Sequence, residues 1–291
     1  MTAKILSALP VVEQKKENLK RRCLSLKDKG IVPSMCVVLV GDNPASLSYV
    51  RNKKRLCEEV GANFELLHLP ENVTPQDFLN KISALNNNPK INGIIIQLPV
   101  PDSLKVFHLP SLVTPSKDID GFHGENTQTL YSGTTDLSLL LPCTPKGIIN
   151  LLQFYGVELS GKNIVVVGRS LIVGKPLSML LSNFDATVTL AHSKTKNLRE
   201  HTKNADIVIT AIGRGHHFDH TYFDAGRKTI VIDVGMNSVN GKLAGDVNQD
   251  DVMNVVEAIS PVPGGVGPMT VVSLIENLIS ATEAQINKGK I

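Results

Sequence analysis

Tryptophan is missing from the 291 residues, and aromatic side chains make up only 4% of the chain. So few π-faces argue against a base-stacking or carbohydrate-stacking surface. Cysteine is scarce too. Cys23, Cys36, Cys57 and Cys143 are scattered, with no CxxC pair, which argues against a disulfide frame or a thiolate zinc site and reads as free thiols in a reducing compartment. No charge sign dominates: 30 Lys+Arg against 27 Asp+Glu leave +3, enough to suit a small anionic ligand and too little for a nucleic-acid footprint. No apolar run approaches the length of a bilayer span, and Met1–Pro10 lacks the basic-then-apolar order of a signal peptide. The expectation is a soluble, cytoplasmic protein with neither nucleic acid nor membrane as partner.

Apolar residues, at 42% of the composition, are ample for a large core. The length suits one large domain or two ordinary ones. Helix formers fill Leu6–Lys29 with Gly30 as a stop, and Ser34–Val40 reads as a buried strand. Asn43 and Pro44 form an N-cap and first-turn proline for a helix reaching about Val60. A strand at Phe64–Leu69, a helix from Thr74 or Pro75 to Leu85 and an apolar run at Gly93–Leu98 follow. Pro99–Pro145, rich in Pro, Thr, Ser and Asp, reads as a long loop region with one short helix near Leu104–Leu112. A second alternating block has helices at 146–155 and after Gly174, and strands at Ile164–Val167, Thr187–Leu190, Ile207–Thr210 and Thr229–Val234. A glycine-rich loop, Pro261–Pro268, then leads into a final helix over Met269–Ile286. Apolar strands alternating with amphipathic helices predict an α/β protein of two layers, each with a parallel sheet, and a cleft between them.

Ile164-Val-Val-Val-Gly-Arg-Ser-Leu-Ile-Val-Gly-Lys-Pro176 runs from strand through glycine into a helix carrying a second glycine. Such a turn brings backbone close to phosphate and offers helix N-terminal amides. The interval from Gly168 to Gly174 is not the standard GxGxxG, so an ordinary tight strand–helix turn stays open as a reading. The next strand ends Leu190-Ala-His-Ser-Lys194 without the acid that binds an NAD ribose, while Arg169 and Lys194 could neutralise a 2′-phosphate. NADP is favoured over NAD.

Tyr49 and Lys53 are four residues apart on one helix face. Spacing alone leaves open whether they are a site or a core tyrosine beside a solvated lysine. Gln97, after three isoleucines, needs a partner if buried. Asp120 lies in the loop-rich middle. His216, His217 and His220 read as a surface loop, and no metal site is expected. Cys143, with no adjacent histidine, reads as structural or incidental.

Taken in order, seven stretches resemble the bifunctional methylenetetrahydrofolate dehydrogenase/methenyltetrahydrofolate cyclohydrolase family over essentially the whole chain. They are Ser48-Tyr-Val-Arg-Asn-Lys53, Gly93-Ile-Ile-Ile-Gln-Leu-Pro99, Lys117-Asp-Ile-Asp-Gly121, Pro142-Cys-Thr-Pro145, Val165-Val-Val-Gly-Arg-Ser170, Ile172-Val-Gly174 and Pro261-Val-Pro-Gly-Gly-Val-Gly-Pro-Met-Thr270. The resemblance implies a folate domain over 1–140, completed by helix 268–291, and a Rossmann-type NADP domain over 141–267. It also implies a homodimer paired through the nucleotide domain, and a place in one-carbon metabolism and purine biosynthesis. By the same resemblance Lys53 is the catalytic lysine, Gln97 its partner, Tyr49 a residue stacking near the folate and Asp120 the pterin-binding acid. The implied folate site also includes Ile96 and Leu98, and the loop of Pro263, Gly264, Gly265, Val266 and Gly267. Gly168, Arg169, Ser170 and Ser193 would hold NADP, with Gly235 and Met236 touching it. Two departures stand out: Gly124-Glu-Asn126-Thr-Gln128 in the loop after Asp120, and Gly215 where the family often has proline. The alternatives are a dehydrogenase-only member of the family, an NADP sensor without catalysis, and an amino-acid or shikimate-type dehydrogenase.

Overall fold

The computed structural model describes residues 2–287 and Gly289. In chain order the elements are β1 (Lys4–Ile5), α1 (Leu9–Lys27), β2 (Ser34–Val40), α2 (Pro44–Glu59), β3 (Asn63–Leu69), α3 (Pro75–Asn87), β4 (Gly93–Ile96), α4 (Gly124–Tyr131) and α5 (Cys143–Phe154). Next come β5 (Asn163–Val167), α6 (Gly174–Asn183), β6 (Thr187–Ala191), α7 (Leu198–Lys203), β7 (Ile207–Thr210) and β8 (Ile230–Asp233). A hairpin of β9 (Asn237–Val239) and β10 (Lys242–Ala244), a single turn α8 (Gln249–Val252), β11 (Ala258–Ile259) and the long α9 (Val266–Asn287) follow. The chain forms two compact units. One comprises residues up to Glu13, Leu130–Thr135 and Thr144–Thr270; the other comprises Gln14–Thr129, Asp136–Cys143 and the residues from Val271. No helix among the described residues is long and apolar enough to cross a membrane.

The three-strand unit has the parallel order β3-β2-β4. All seven residues of the central β2 are buried, which is why an uninterrupted apolar run suits it. The helix after it opens as its sequence dictates. The Asn43 side chain accepts the Ala45 and Ser46 amides, and Pro44 occupies the first turn. Thr74 caps α3 by accepting the Asp77 amide, and α3 seats Phe78 and Ile82 against Ile91, Ile94, Leu104 and Val113. Gly93 is glycine for lack of room: a Cβ there would lie 2.6 Å from the Ile119 side chain.

The six-strand unit carries the order β1-β11-β8-β7-β5-β6, parallel throughout. β5 pairs with β6 on one side and β7 on the other. The crossover direction therefore reverses at its carboxyl end, the position where open α/β sheets receive ligands. Val165, Val167, Val208, Val231 and Ile259 build the core on one face with Phe218 and Tyr222.

The expected α/β class with two parallel sheets is observed, and the main departures fall in 99–145. That stretch contains the helix α4, which the Pro- and Thr-rich composition hid, and α5 begins at Cys143 rather than at 146. The helix expected near Leu104–Leu112 is instead two short 3-10 turns, Asp102–Leu104 and Leu109–Leu112. The two-residue strands β1 and β11 are too short to carry a period, and their pairing with each other and β8 is what makes them strands.

Fully buried Asn277 on α9 donates to the Ile119 and Leu141 carbonyls, both at 2.9 Å, and so ties two non-helical segments of the three-strand unit together. Asn277→Leu leaves the Leu141 carbonyl buried and unpaired and the Ile119 carbonyl with only the weak Cys143 thiol donor, and is expected to cost about 1–3 kcal/mol in urea unfolding. An unchanged midpoint would show that the carbonyls have other partners.

Candidate active site

In the three-strand unit, α2 follows β2 and carries Tyr49 and Lys53 one turn apart, both half-buried. Gln97 stands immediately past β4, where its amide donates to the Val38 carbonyl and continues the β2–β4 ladder for one residue. Gln97 lies at the carboxyl end of a parallel strand, and Lys53 reaches it from within α2. There the Lys53 amine donates to Gln97 Oε1 at 2.8 Å, while Gln97 Nε2 donates to the Leu98 carbonyl at 2.8 Å. The second bond turns the amide so that its oxygen, a neutral acceptor, faces the amine. Burial drives the Lys53 amine below the ordinary lysine range, with Asp120 and then Cys143 opposing the shift. Burial likewise pushes the Asp120 carboxyl upward, against the pull of Lys53. The two groups face each other in a partly buried site where burial opposes the charge of each.

Asp120 is fixed by its neighbours. The buried Asp118 carboxylate accepts the Gly121 amide at 3.1 Å, the His123 amide at 2.6 Å and Asn126 Nδ2 at 3.0 Å. Asn126 belongs to the run that departs from the family pattern, and it donates to the carboxylate that shapes the loop. Gly121 sits at φ +80, and a Cβ there would lie 2.3 Å from the Leu141 backbone. Cys143, read from the sequence as structural or incidental, is buried beside Asp120. Its thiol donates to the Ile119 carbonyl at 3.3 Å and is a hydrogen-bond partner of Asp120, so it belongs to the site. Spacing could not find a residue 23 positions away in sequence, although it lies inside the matching Pro142-Cys-Thr-Pro145 stretch.

In the six-strand unit, Gly168 ends β5 at φ +124, and a Cβ on it would meet the Ala211 carbonyl oxygen at 2.2 Å. A Cβ on Gly174 would lie 1.7 Å from the Gly168 oxygen. The two glycines thus close the turn by sheer lack of space. Ser170 Oγ accepts the Val173 amide at 3.1 Å and the Gly174 amide at 3.4 Å, serving as the cap that Val173 cannot provide. Exposed Arg169 follows β5, and exposed Ser193 and Lys194 follow β6, its hydrogen-bonded neighbour. No acid lies among residues 191–194. A backbone cradle closed to side chains, with two cations at adjacent strand ends, fits a nucleotide bearing a 2′-phosphate.

Gly235 and Met236 follow β8, and Gly267 at the head of α9 is close enough that a Cβ would be 3.7 Å from the Met236 sulfur. The structure therefore gathers Lys53, Gln97 and Asp120 in one unit, with Ile96 and Leu98 flanking Gln97. In the other unit it gathers Gly168, Arg169, Ser170 and Ser193 around the ends of β5 and β6; Pro263, Gly264 and Gly265 precede α9, while Val266 and Gly267, expected in the loop, form its first turn. His220 pairs with Asp251 at 2.8 Å, and its amide uses the same carboxylate oxygen.

A nucleotide-binding parallel sheet in one unit and a desolvated lysine–glutamine–aspartate group in another define a two-unit α/β enzyme that works with a dinucleotide. Comparison places it more closely. The sequence model for the tetrahydrofolate dehydrogenase/cyclohydrolase catalytic domain matches residues 6–120, and that for the family's NAD(P)-binding domain matches 142–286. The chain belongs to this family. It is 44% identical over 283 residues to the bifunctional protein FolD of Halalkalibacterium halodurans, covering 97% of this chain and 100% of that one. The crystal structure of the bifunctional FolD methylenetetrahydrofolate dehydrogenase/cyclohydrolase from Campylobacter jejuni aligns with a TM-score of 0.92 at 41% identity, over 97% of this chain and 99% of that one. The Trypanosoma brucei N5,N10-methylenetetrahydrofolate dehydrogenase-cyclohydrolase, complexed with NADP cofactor and inhibitor, aligns with a TM-score of 0.92 at 31% identity, over 98% and 99%.

The nucleotide turn carries a direct test. NADP is expected to bind better than NAD, and Arg169→Ala should narrow the gap by weakening NADP alone, by about 1.5–3 kcal/mol for a lost charge-assisted contact. Paired titrations check this; equal affinities in the unmutated protein would contradict it.

Proposed function

We propose that the chain oxidises 5,10-methylenetetrahydrofolate to 5,10-methenyltetrahydrofolate with NADP and then hydrolyses the product to 10-formyltetrahydrofolate. The observation that carries this reading is the Lys53–Gln97 hydrogen bond in a desolvated setting, a feature that only the hydrolytic step requires. NADP, when bound at the Gly168 turn, supplies the hydride acceptor. The chain's own part in that first step is positioning, because no proton leaves the methylene carbon. Asp120 offers two oxygens to pterin N–H donors, and Tyr49 stacks beside the ring. In this reading the folate groups come from 1–140 with 268–291, and the NADP groups from 141–267.

Hydrolysis needs a base for the attacking water and a proton for the departing ring nitrogen. Lys53 can serve both needs with one proton. Its neutral amine takes one proton as water adds to the methenyl carbon and returns it to the ring nitrogen as the C–N bond breaks, while the remaining hydroxyl proton leaves to solvent as the formyl C=O forms. Desolvation favours the neutral amine, and the cationic substrate favours it further. Gln97 orients the amine without adding a negative charge that would hold its proton. An intact lysine site of this kind argues against the dehydrogenase-only and NADP-sensing alternatives. The four cysteines are all buried and free, with burial pushing Cys23 and Cys36 up to about 11 and Cys57 to about 12. Such thiols suit a cytoplasmic protein. The edge strand β6, paired only with β5 among the described residues, suits a homodimer formed through the nucleotide unit. Purine biosynthesis is the natural consumer of the formyl product.

Two experiments test the reading. Lys53→Met removes the amine while keeping much of the volume, so ring hydrolysis is expected to fall by at least about 100-fold, the usual yield of a general base. Dehydrogenation should persist in part; equal losses in both steps with folate binding intact would contradict the assignment. The pH profile provides the second. Hydrolysis should rise with pH along a limb whose midpoint lies below the ordinary lysine range, since the protonated amine cannot accept the water proton. Asp120 holds that proton on Lys53, so Asp120→Asn should move the limb to still lower pH. Loss of the limb in Asp120→Asn would show that the carboxylate, and not the amine, is the titrating base, and an upward shift would contradict the assigned role of Asp120.

A further inference from the structure

Asp246, between β10 and α8, is fully buried, and its carboxylate is spent inside the protein. Oδ2 accepts the Ile212 amide at 2.7 Å and the Gly213 amide at 3.2 Å; Oδ1 accepts the Arg214 amide at 2.7 Å and Asn237 Nδ2 at 3.0 Å. The three successive amides form the turn that leaves β7, and Asn237 opens the hairpin that leaves β8 by way of Gly235 and Met236. Asp246 itself is held from behind. Asp233, at the end of β8, accepts the Asp246 amide at 2.9 Å, and also the Gly235 and Val247 amides at 2.9 Å. The packing leaves no slack: a Cβ on Gly235 would lie 2.4 Å from the Asp246 carboxyl, and one on Gly245 1.8 Å from Asp233. Gly215, where the family often has proline, stands by the same hairpin. A Cβ on Gly215 would lie 2.5 Å from the Val239 side chain.

Successive amides pointing into one concavity are a common anion site. Here the chain's own carboxylate fills it, so the phosphates of a dinucleotide are left to the Gly168 turn. A dinucleotide at a switch point lies across both halves of the sheet. With Arg169, Ser193 and Lys194 at the β5 and β6 ends suited to the adenosine 2′-phosphate, the nicotinamide half falls over the ends of β7 and β8. Those ends carry the loops that Asp246 joins. Building on the proposed NADP chemistry, we infer that Asp246 is a positioning residue for the nicotinamide half of the cofactor. It sets the Ile212–Arg214 turn and the Gly235–Asn237 turn against each other and contributes nothing to the adenosine half.

Titrations with NADP and with 2′,5′-ADP, which is the adenosine half alone, separate this from a purely structural role. In Asp246→Asn an NH2 group faces donors in place of one acceptor oxygen. NADP should then bind about tenfold more weakly or worse, while 2′,5′-ADP binds as before. Should that variant fail to fold, as judged by circular dichroism, Asn237→Ala removes one of the four donors and should show the same selective loss in smaller measure. Unchanged NADP affinity, or equal weakening of both ligands, would overturn the inference. If the unmutated protein binds NADP but does not oxidise methylenetetrahydrofolate, the proposed function fails while these titrations keep their meaning.

Discussion

An amine taken out of water sheds its proton readily unless an anion faces it, and Lys53 is held between those two conditions. Desolvation lowers its proton affinity, Asp120 raises it, and the hydrogen bond to Gln97 fixes where the amine points without adding a second negative charge. A carboxylate in place of Gln97 would keep the amine charged; an apolar residue would leave it unanchored. The neutral amide is the choice that lets one group accept a proton and give it back. The surrounding fold serves that choice. Gln97 is placed by one residue of extra pairing beyond β4, and Lys53 by a helix whose start is set at Asn43 and Pro44.

Both units use buried carboxylates to shape loops, although the desolvation cost argues against burying them. Asp118, Asp233 and Asp246 each accept several backbone amides. Amides of irregular segments have no ladder to satisfy them, so one carboxylate with several donors both recovers its solvation and removes several orphan N–H groups. The Asp118 cluster places Asp120, and the Asp233–Asp246 pair joins the turns after β7 and β8. For Asp233 burial still exceeds these donors, and the carboxyl is pushed up to about 6.

What could be read from the sequence divides along that line. β2, the Asn43 cap, β5 and the Gly168–Gly174 turn were legible because their causes are local: an apolar run, a cap residue at its position, a glycine at a strand–helix turn. Lys53 and Gln97 were legible as candidates, and only the matching motifs joined them. Cys143, Asp118 and Asp246 carried no local signal. Their partners lie many residues away or are backbone amides of irregular segments, and neither leaves a period or a spacing to count. The helix α4 was missed for a related reason, since Gly124–Tyr131 has one fully buried side chain, Leu130, and so no apolar stripe.

The proton affinity of Lys53 in the folate-free protein is the quantity on which this account rests. It can be measured by NMR titration of protein labelled with carbon-13 at the lysine ε-carbon, with the Lys53 resonance identified by its absence in Lys53→Met. The account predicts that this resonance titrates well below the other lysines, leaving a neutral amine within the working pH range. A midpoint shared with the surface lysines, near the reference of about 10.4, would mean that Lys53 stays charged, and would remove it as the base for hydrolysis.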